Sequence, residues 1–198
     1  MNGVPERTSL TYKIMRFFVP DLIIQYLYYL RKEEFHTNGG GKILRYLYAY
    51  KKRKLGIKLG YSIPANVFGP GLSLPHYGTI VVSKNAKVGE NCRLHVSTNI
   101  GASAGKPEAP IIGDNVYIGP GVILFGDITI ADNVTIAANA TVNKSCEVSN
   151  VVLAGTPAKI VKEKYDSWII FNKLVKSTKW FMSKNNTVMF AASVGGHY

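Results

Sequence analysis

Four histidines are the residues of this chain best suited to moving a proton near neutrality: His36, His76, His95 and His197. An imidazole with an ordinary pKa of about 6.5 can take up a proton and return it within one reaction cycle. Their surroundings separate them. His36 stands beside a glycine run and His197 in the terminal tail, with no reactive constellation around either. His76 sits in LPHYGTIVV (74–82), and His95 directly follows Leu94. A catalytic zinc centre needs about three such ligands, and His76 with His95 falls short, so no metal is expected. Cys92 and Cys146 are the only cysteines. They exclude a disulfide-rich scaffold and suit a reducing compartment, so a cytoplasmic setting is expected. Both read as small inward fillers rather than redox or metal groups.

The elements that must position these residues announce themselves by a period of six. Ile, Leu or Val recurs at 112, 118, 124, 130, 136 and 142, and a second small or apolar residue follows four places on, as at Val116, Val122, Ile128, Val134, Ala140 and Cys146. Backwards the series runs through Ile100, Leu94 and Val88 to Val82, then to Leu74 and Phe68 with a two-residue slip near Ile80; forwards it reaches Val148 and Val152. Neither a helical period of 3.6 nor strict strand alternation produces this. Repeats of six residues predict a parallel β-helix, a three-faced prism whose coils stack one strand spacing apart. Some five coils at about 4.8 Å give a prism roughly 24 Å tall. The position midway between Ile100 and Ile112 is Lys106, inside GASAGKPEAPI. A charged residue does not belong in the prism interior, so a loop over 102–110 is expected to leave the coil, and such loops are where function tends to sit.

Outside the repeats the texture changes. Asp21 after Pro20 predicts a helix cap ahead of LIIQYLYYLRKEEF, TNGGGK (37–42) ends that helix, and KILRYLYAYKKRKLG (42–56) predicts a second helix closed by Gly56. The reading is a helical segment over 1–60, aromatic on one side and basic on the other, a β-helix domain over 61–162, and an amphipathic helical tail over 163–198. The chain has 198 residues and a net charge of +12, carried as +8 in residues 1–60, −1 in 61–158 and +5 in 159–198. No signal peptide is expected: the apolar run 17–30 holds Pro20 and Asp21 and is shorter than the roughly 20 residues that span a bilayer. Aromatic and basic residues mingle in both flanks, including Tyr46, Tyr48, Tyr50, Trp168 and Trp180. Such segments allow peripheral association with the inner face of a membrane, though burial of the aromatics between helices and subunits is the preferred reading. Nucleic acid is not an expected partner, since no recognition motif accompanies the charge.

The hexads, LPHYGTIVV, the extruded loop and the closing AGTPAKIV (154–161) together resemble serine acetyltransferase and related hexapeptide-repeat O-acetyltransferases, including those of surface and capsular polysaccharide clusters. The resemblance covers about residues 61–162. It implies a mainly β fold, a left-handed parallel β-helix with a small N-terminal helical cap and a C-terminal helical tail. It implies acetyl-CoA as acetyl donor, no metal, and a homotrimer with active sites between neighbouring prisms. By its place in the motif, His76 matches the catalytic histidine that takes the proton of the acceptor hydroxyl. Gly101, Ala102, Gly119, Pro120 and Ala138 match positions contacting coenzyme A, and Lys159 could meet one of its phosphates. Tyr61, Tyr77, His95 and Glu108 are the candidates for the acceptor side.

The chain also departs from that pattern. Serine acetyltransferases carry an Asp directly before the histidine and another about fifteen residues upstream; here stand Pro75 and Tyr61 or Ser62, with no Asp or Glu between 35 and 89. A backbone carbonyl, Tyr61 or a neighbouring subunit must therefore orient His76. Where those enzymes have Arg-His-Pro in the loop, suited to a carboxylate, this chain has Glu108-Ala109-Pro110. The expectation is accordingly transfer of an acetyl group to a saccharide hydroxyl, with serine O-acetylation as the alternative and a non-catalytic β-helix scaffold as the third reading. A zinc hydratase on the same prism is excluded by the shortage of histidines.

Overall fold

The computed structural model describes residues 21–163; all but the first residue of the amphipathic tail expected over 163–198, and the first twenty residues of the helical segment, lie outside them. Asp21 caps α1 (Leu22–Asn38), its carboxylate accepting from the backbone N–H groups of Ile23 and Ile24 at 2.9 and 3.3 Å. After the glycine turn comes α2 (Lys42–Leu59). This helix does not stop at Gly56. Its terminus is Gly60, left-handed at φ +84°, whose N–H bonds back to the Gly56 carbonyl. Gly56 serves packing instead: a Cβ there would stand 2.6 Å from the Tyr61 carbonyl oxygen and 3.3 Å from the Tyr26 ring. No helix among the described residues is long and apolar enough to cross a membrane.

From Tyr61 the chain winds into a left-handed β-helix of three faces. Face one stacks β3 (Lys87–Val88), β6 (Ile111–Ile112) and β9 (Thr129–Ile130), extended by single bridges at Phe68 and Cys146. Face two runs β4 (Arg93–Leu94), β7 (Tyr117–Ile118), β10 (Thr135–Ile136), β12 (Val152–Gly155) and an antiparallel β13 (Ala158–Lys162). Face three runs β1 (Tyr61–Ser62), β2 (Ile80–Val82), β5 (Thr98–Gly101), β8 (Ile123–Phe125) and β11 (Thr141–Val142). The chain passes from face one to two to three in each coil.

The registers show why six is the period. Tyr117 pairs with Thr135 and Ile111 with Thr129, three hexads apart, so Ile112, Ile118, Leu124, Ile130, Ile136 and Val142 all point inward and are essentially buried. Each such side chain contributes roughly 1.5–3 kcal/mol of burial. The second hexad residue fills the corners, as Cys92, Val116 and Val134 do, each fully buried. Two irregularities fall where the spacing placed them. Ile100 pairs with Leu124, one hexad more than a coil, which is the loop over 102–110. Phe68 bridges Val88 and Ser73 bridges Arg93, a coil plus two residues. Two inward positions differ from the reading: Val148 is about half exposed and Val152 is only partly buried, while Val151 and Leu153 take the interior there, because Ile136 pairs with Leu153, one residue short of a full coil.

The helical pair sits on the first coil. Tyr26 and Leu30 are buried, Tyr26 packing edge-on to Tyr61 at 5.1 Å. Arg31 donates to the Phe68 and Gly69 carbonyls and pairs with Glu34 at 2.8 Å, while Glu34 accepts from the Asn66 N–H at 2.8 Å. Lys52 reaches Glu33 at 2.7 Å and the Ile63 carbonyl at 3.1 Å. Aromatics and cations are not segregated onto opposite sides as expected. Lys51 lies 5.7 Å from the Tyr29 ring centre and Lys32 5.7 Å from that of Tyr28, since a cation gains by lying over a ring face.

Candidate active site

The corner between faces two and three is where the candidate residues meet. Backbone hydrogen bonds tie its successive coils into a column: Gly78 N–H to Leu59, Ser97 N–H to Thr79, Gly121 N–H to Val96, and Asn139 N–H to Pro120. At the far end the Thr156 hydroxyl bonds the Asn139 carbonyl at 3.4 Å. Coil by coil, the column presents His76, His95, Gly119 and Pro120, Ala138, and then the hairpin turn that precedes Lys159. At about 4.8 Å per coil the line from His76 to that turn is roughly 19 Å long. Small residues keep it low, and Gly119 is obligatory, because a Cβ there would come within 2.8 Å of the Ala138 backbone nitrogen.

His76 lies in the two-residue slip itself. The slip enlarges the first corner of the column, so Pro75, His76 and Tyr77 bulge from a prism that elsewhere turns tightly. His76 and Tyr77 are exposed, Tyr77 by 77%. Among the described residues no carboxylate lies within ion-pair distance of His76. The segment is held through its backbone instead: the Tyr61 hydroxyl donates to the His76 carbonyl at 2.5 Å. Burial, and after it the charge of Asp21, pushes the Tyr61 phenol well above its ordinary pKa, so it stays a hydrogen-bond donor. Tyr61 thus positions the corner rather than the imidazole ring.

His95 lies one coil below, its ring centre 6.1 Å from that of His76 and 5.0 Å from that of Tyr117. It is 8% exposed. Burial first, then the charges of Arg93 and His76, lower its pKa to about 4, so it is neutral at pH 7. The Arg93 Nε–H points at His95 Nε2, 3.4 Å away. That contact makes Nε2 the acceptor and leaves the proton on Nδ1. The Thr98 hydroxyl fixes the backbone by donating to the His95 carbonyl at 2.8 Å. Arg93 was not among the residues the sequence singled out. Its signal was available, since a residue immediately before a hexad position on a β-helix face points outward, here beside an outward histidine.

The remaining candidates lie elsewhere. Glu108 is exposed within the loop, and Gly101 and Ala102 stand at the loop's mouth, at the corner between faces three and one. Face three separates that corner from His76, so a single chain does not bring these residues to the column. Asn85 ties the loop down by donating to the Pro107 carbonyl at 2.7 Å. No group of three or more His, Cys, Asp or Glu suited to a metal ion occurs among the described residues. Both cysteines are free and buried, and burial pushes the Cys92 thiol up to about 12.

Comparison with known proteins meets this geometry from outside. Residues 109–144 match the model of the bacterial transferase hexapeptide family (six repeats). A Dictyostelium discoideum protein assigned provisionally as an acetyltransferase is 47% identical over 92 residues, 42% of this chain and 47% of that protein. A serine acetyltransferase of Buchnera aphidicola is 30% identical over 141 residues, 65% of this chain and 54% of that protein. The crystal structure of Brucella abortus serine acetyltransferase in complex with coenzyme A superposes with a TM-score of 0.61 at 26% identity, covering 71% of this chain and 56% of that one. The chain thus spans about half the length of the relatives it matches.

Proposed function

We propose that the chain is an acetyl-CoA-dependent O-acetyltransferase with His76 as its base. The observation that carries this reading is the column at the corner of faces two and three: an exposed histidine at one end of a roughly 19 Å line of small residues, on a hexapeptide prism similar to one solved with coenzyme A. Gly119, Pro120 and Ala138 offer the low surface on which a thin pantetheine arm can lie, with Lys159 near the far turn for a phosphate. His76 removes the acceptor's hydroxyl proton as the oxygen attacks the thioester carbon. Collapse of the tetrahedral intermediate breaks the carbon–sulfur bond, and the imidazolium returns the proton to the departing thiolate. The products are an acetyl ester and free coenzyme A.

The acceptor reading shifts toward serine. The similar proteins that carry a substrate in their names are serine acetyltransferases. Arg93 is compatible with the same direction, since it places a positive charge against His95, whose ring centre stands 6.1 Å from that of His76. Glu108, which pointed toward a neutral saccharide, does not reach this groove within one chain. It could do so only from a neighbouring subunit, and the saccharide remains the second reading on that ground. We further propose a homotrimer in which the loop and Gly101–Ala102 of one prism face the column of the next, working in the reducing cytoplasm that two free buried cysteines suit.

The test is thiol release from acetyl-CoA with free serine, simple sugars and nucleotide sugars, run beside His76→Ala. Release with serine that vanishes in the variant supports the main reading. Release only with a saccharide moves the acceptor and keeps the mechanism. Failure to bind acetyl-CoA, or release unaffected by His76→Ala, overturns the assignment.

A further inference from the structure

The helix α2 has two faces of opposite fate. One packs onto α1 and the prism through Leu55, Gly56 and Leu59. The other carries Ile43, Tyr46, Leu47, Tyr50 and Ile57, which at 100° per residue fall into one stripe along the helix. These side chains are 85, 68, 43, 66 and 77% exposed. A row of large apolar groups so open to water is not a scattering of single surface residues.

Charge decides what fits it. Lys42 and Arg53 border the stripe on one side, Lys51 and Lys58 on the other, and Lys54 rises within it. No acidic residue occurs in α2. The two on α1 are engaged inward, Glu34 with Arg31 and Glu33 with Lys52. A second copy of this face would bring like charges together. An anionic lipid surface instead neutralises them, takes up the apolar side chains, and accepts tyrosines at headgroup level.

We propose that α2 seats the protein on an anionic membrane surface, the helix lying flat with Ile43, Leu47, Tyr50 and Ile57 at the boundary between headgroups and acyl chains. At 1.5 Å per residue it lays about 27 Å of helix along the lipid. Lys54 lifts its ammonium group back to the phosphates on its flexible stem. The seating is independent of the acetyl transfer proposed above, because none of these residues belongs to the column.

The experiment is co-sedimentation of the full chain with vesicles of phosphatidylcholine alone and of phosphatidylcholine mixed with phosphatidylglycerol. Binding is expected only to the anionic vesicles and should weaken with salt. Arg53→Gln/Lys54→Gln/Lys58→Gln should lower the partition coefficient roughly 100-fold, about fivefold for each cation. Ile43→Asn/Ile57→Asn should also weaken binding, with helix content and transfer to a soluble acceptor unchanged in both variants. Equal binding to the two vesicle types overturns the proposal, as does no binding to either, the result expected were another part of the same chain to cover the stripe. It also falls if light scattering shows Ile43→Asn/Ile57→Asn splitting the assembly, which would make the stripe an interface between copies.

Discussion

His76 owes its place to neighbours that do not touch its ring. His76→Ala should lower acetyl transfer by about 100- to 10,000-fold, the range a single acid–base group supplies, while coenzyme A binding measured by calorimetry stays unchanged. Tyr61→Phe tests the support beneath it. The variant loses one hydrogen bond to the His76 carbonyl, about 1 kcal/mol of stability, and kcat should fall about tenfold from misplacement of the base, with the pH profile of the reaction unmoved. His95 answers to acid instead. In the unfolded chain it has the ordinary pKa of 6.5, whereas the folded protein lowers it to about 4. Between those values the unfolded chain takes up a proton that the folded one refuses, so this contribution to stability is whole above pH 6.5 and fades as pH falls toward 4. At about 1.4 kcal/mol per pKa unit the loss is on the order of 1–3 kcal/mol, or about 2–10 °C in Tm. Thermal melts of His95→Gln across that window should lack this share of the acid loss.

The prism elements show what a periodic sequence can and cannot disclose. Inward residues and corner fillers as far as Val142, and the two-residue slip, were legible, because a coil of three hexads forces like residues into the same place every eighteen positions; the last coil, one residue short, carried Val148 and Val152 out of register. The second helix was not bounded correctly, because a glycine near a helix end reads as a stop whether it is one or not. Only the approach of the Tyr61 carbonyl shows that Gly56 is there for contact and that Gly60 is the cap. The groove around His95 was half legible: its histidine stood out by chemistry, whereas Arg93 looked like any solvated cation until the coil put them side by side. The corner between faces one and two supplies a prediction at this scale. Asn91, Asn115 and Asn133 sit there at positive φ of 55°, 58° and 59°, their side-chain amides linked in a ladder at 3.1 Å. Asn115→Ala removes both ladder bonds and leaves a Cβ in the left-handed region, a cost of about 2–4 kcal/mol. Asn115→Gly keeps the backbone free and should cost less, an order that thermal melts of the two variants would read directly.

At the scale of the whole molecule the decisive separation is between the loop and the column. The loop leaves the prism at the corner after face three, His76 bulges at the corner before it, and the face between them carries exposed Val81 and Ile123. A loop so placed cannot close over its own chain's histidine without crossing that face, whereas the histidine of a neighbouring prism packed there would lie within reach. If neighbours share the site in this way, two dead variants can repair one another. His76→Ala keeps a sound loop, and removal of residues 102–107, one hexad, keeps a sound histidine and restores the regular coil. Mixed, dissociated and reassembled in equal amounts, they would give, in the proposed trimer, about a quarter of interfaces that join an intact histidine to an intact loop. Activity should therefore return to about one quarter of the native value from two preparations that have almost none. A mixture that stays dead, although labelled subunits are shown to exchange, would mean that each loop serves its own chain, and the groove between prisms would lose its claim to the chemistry.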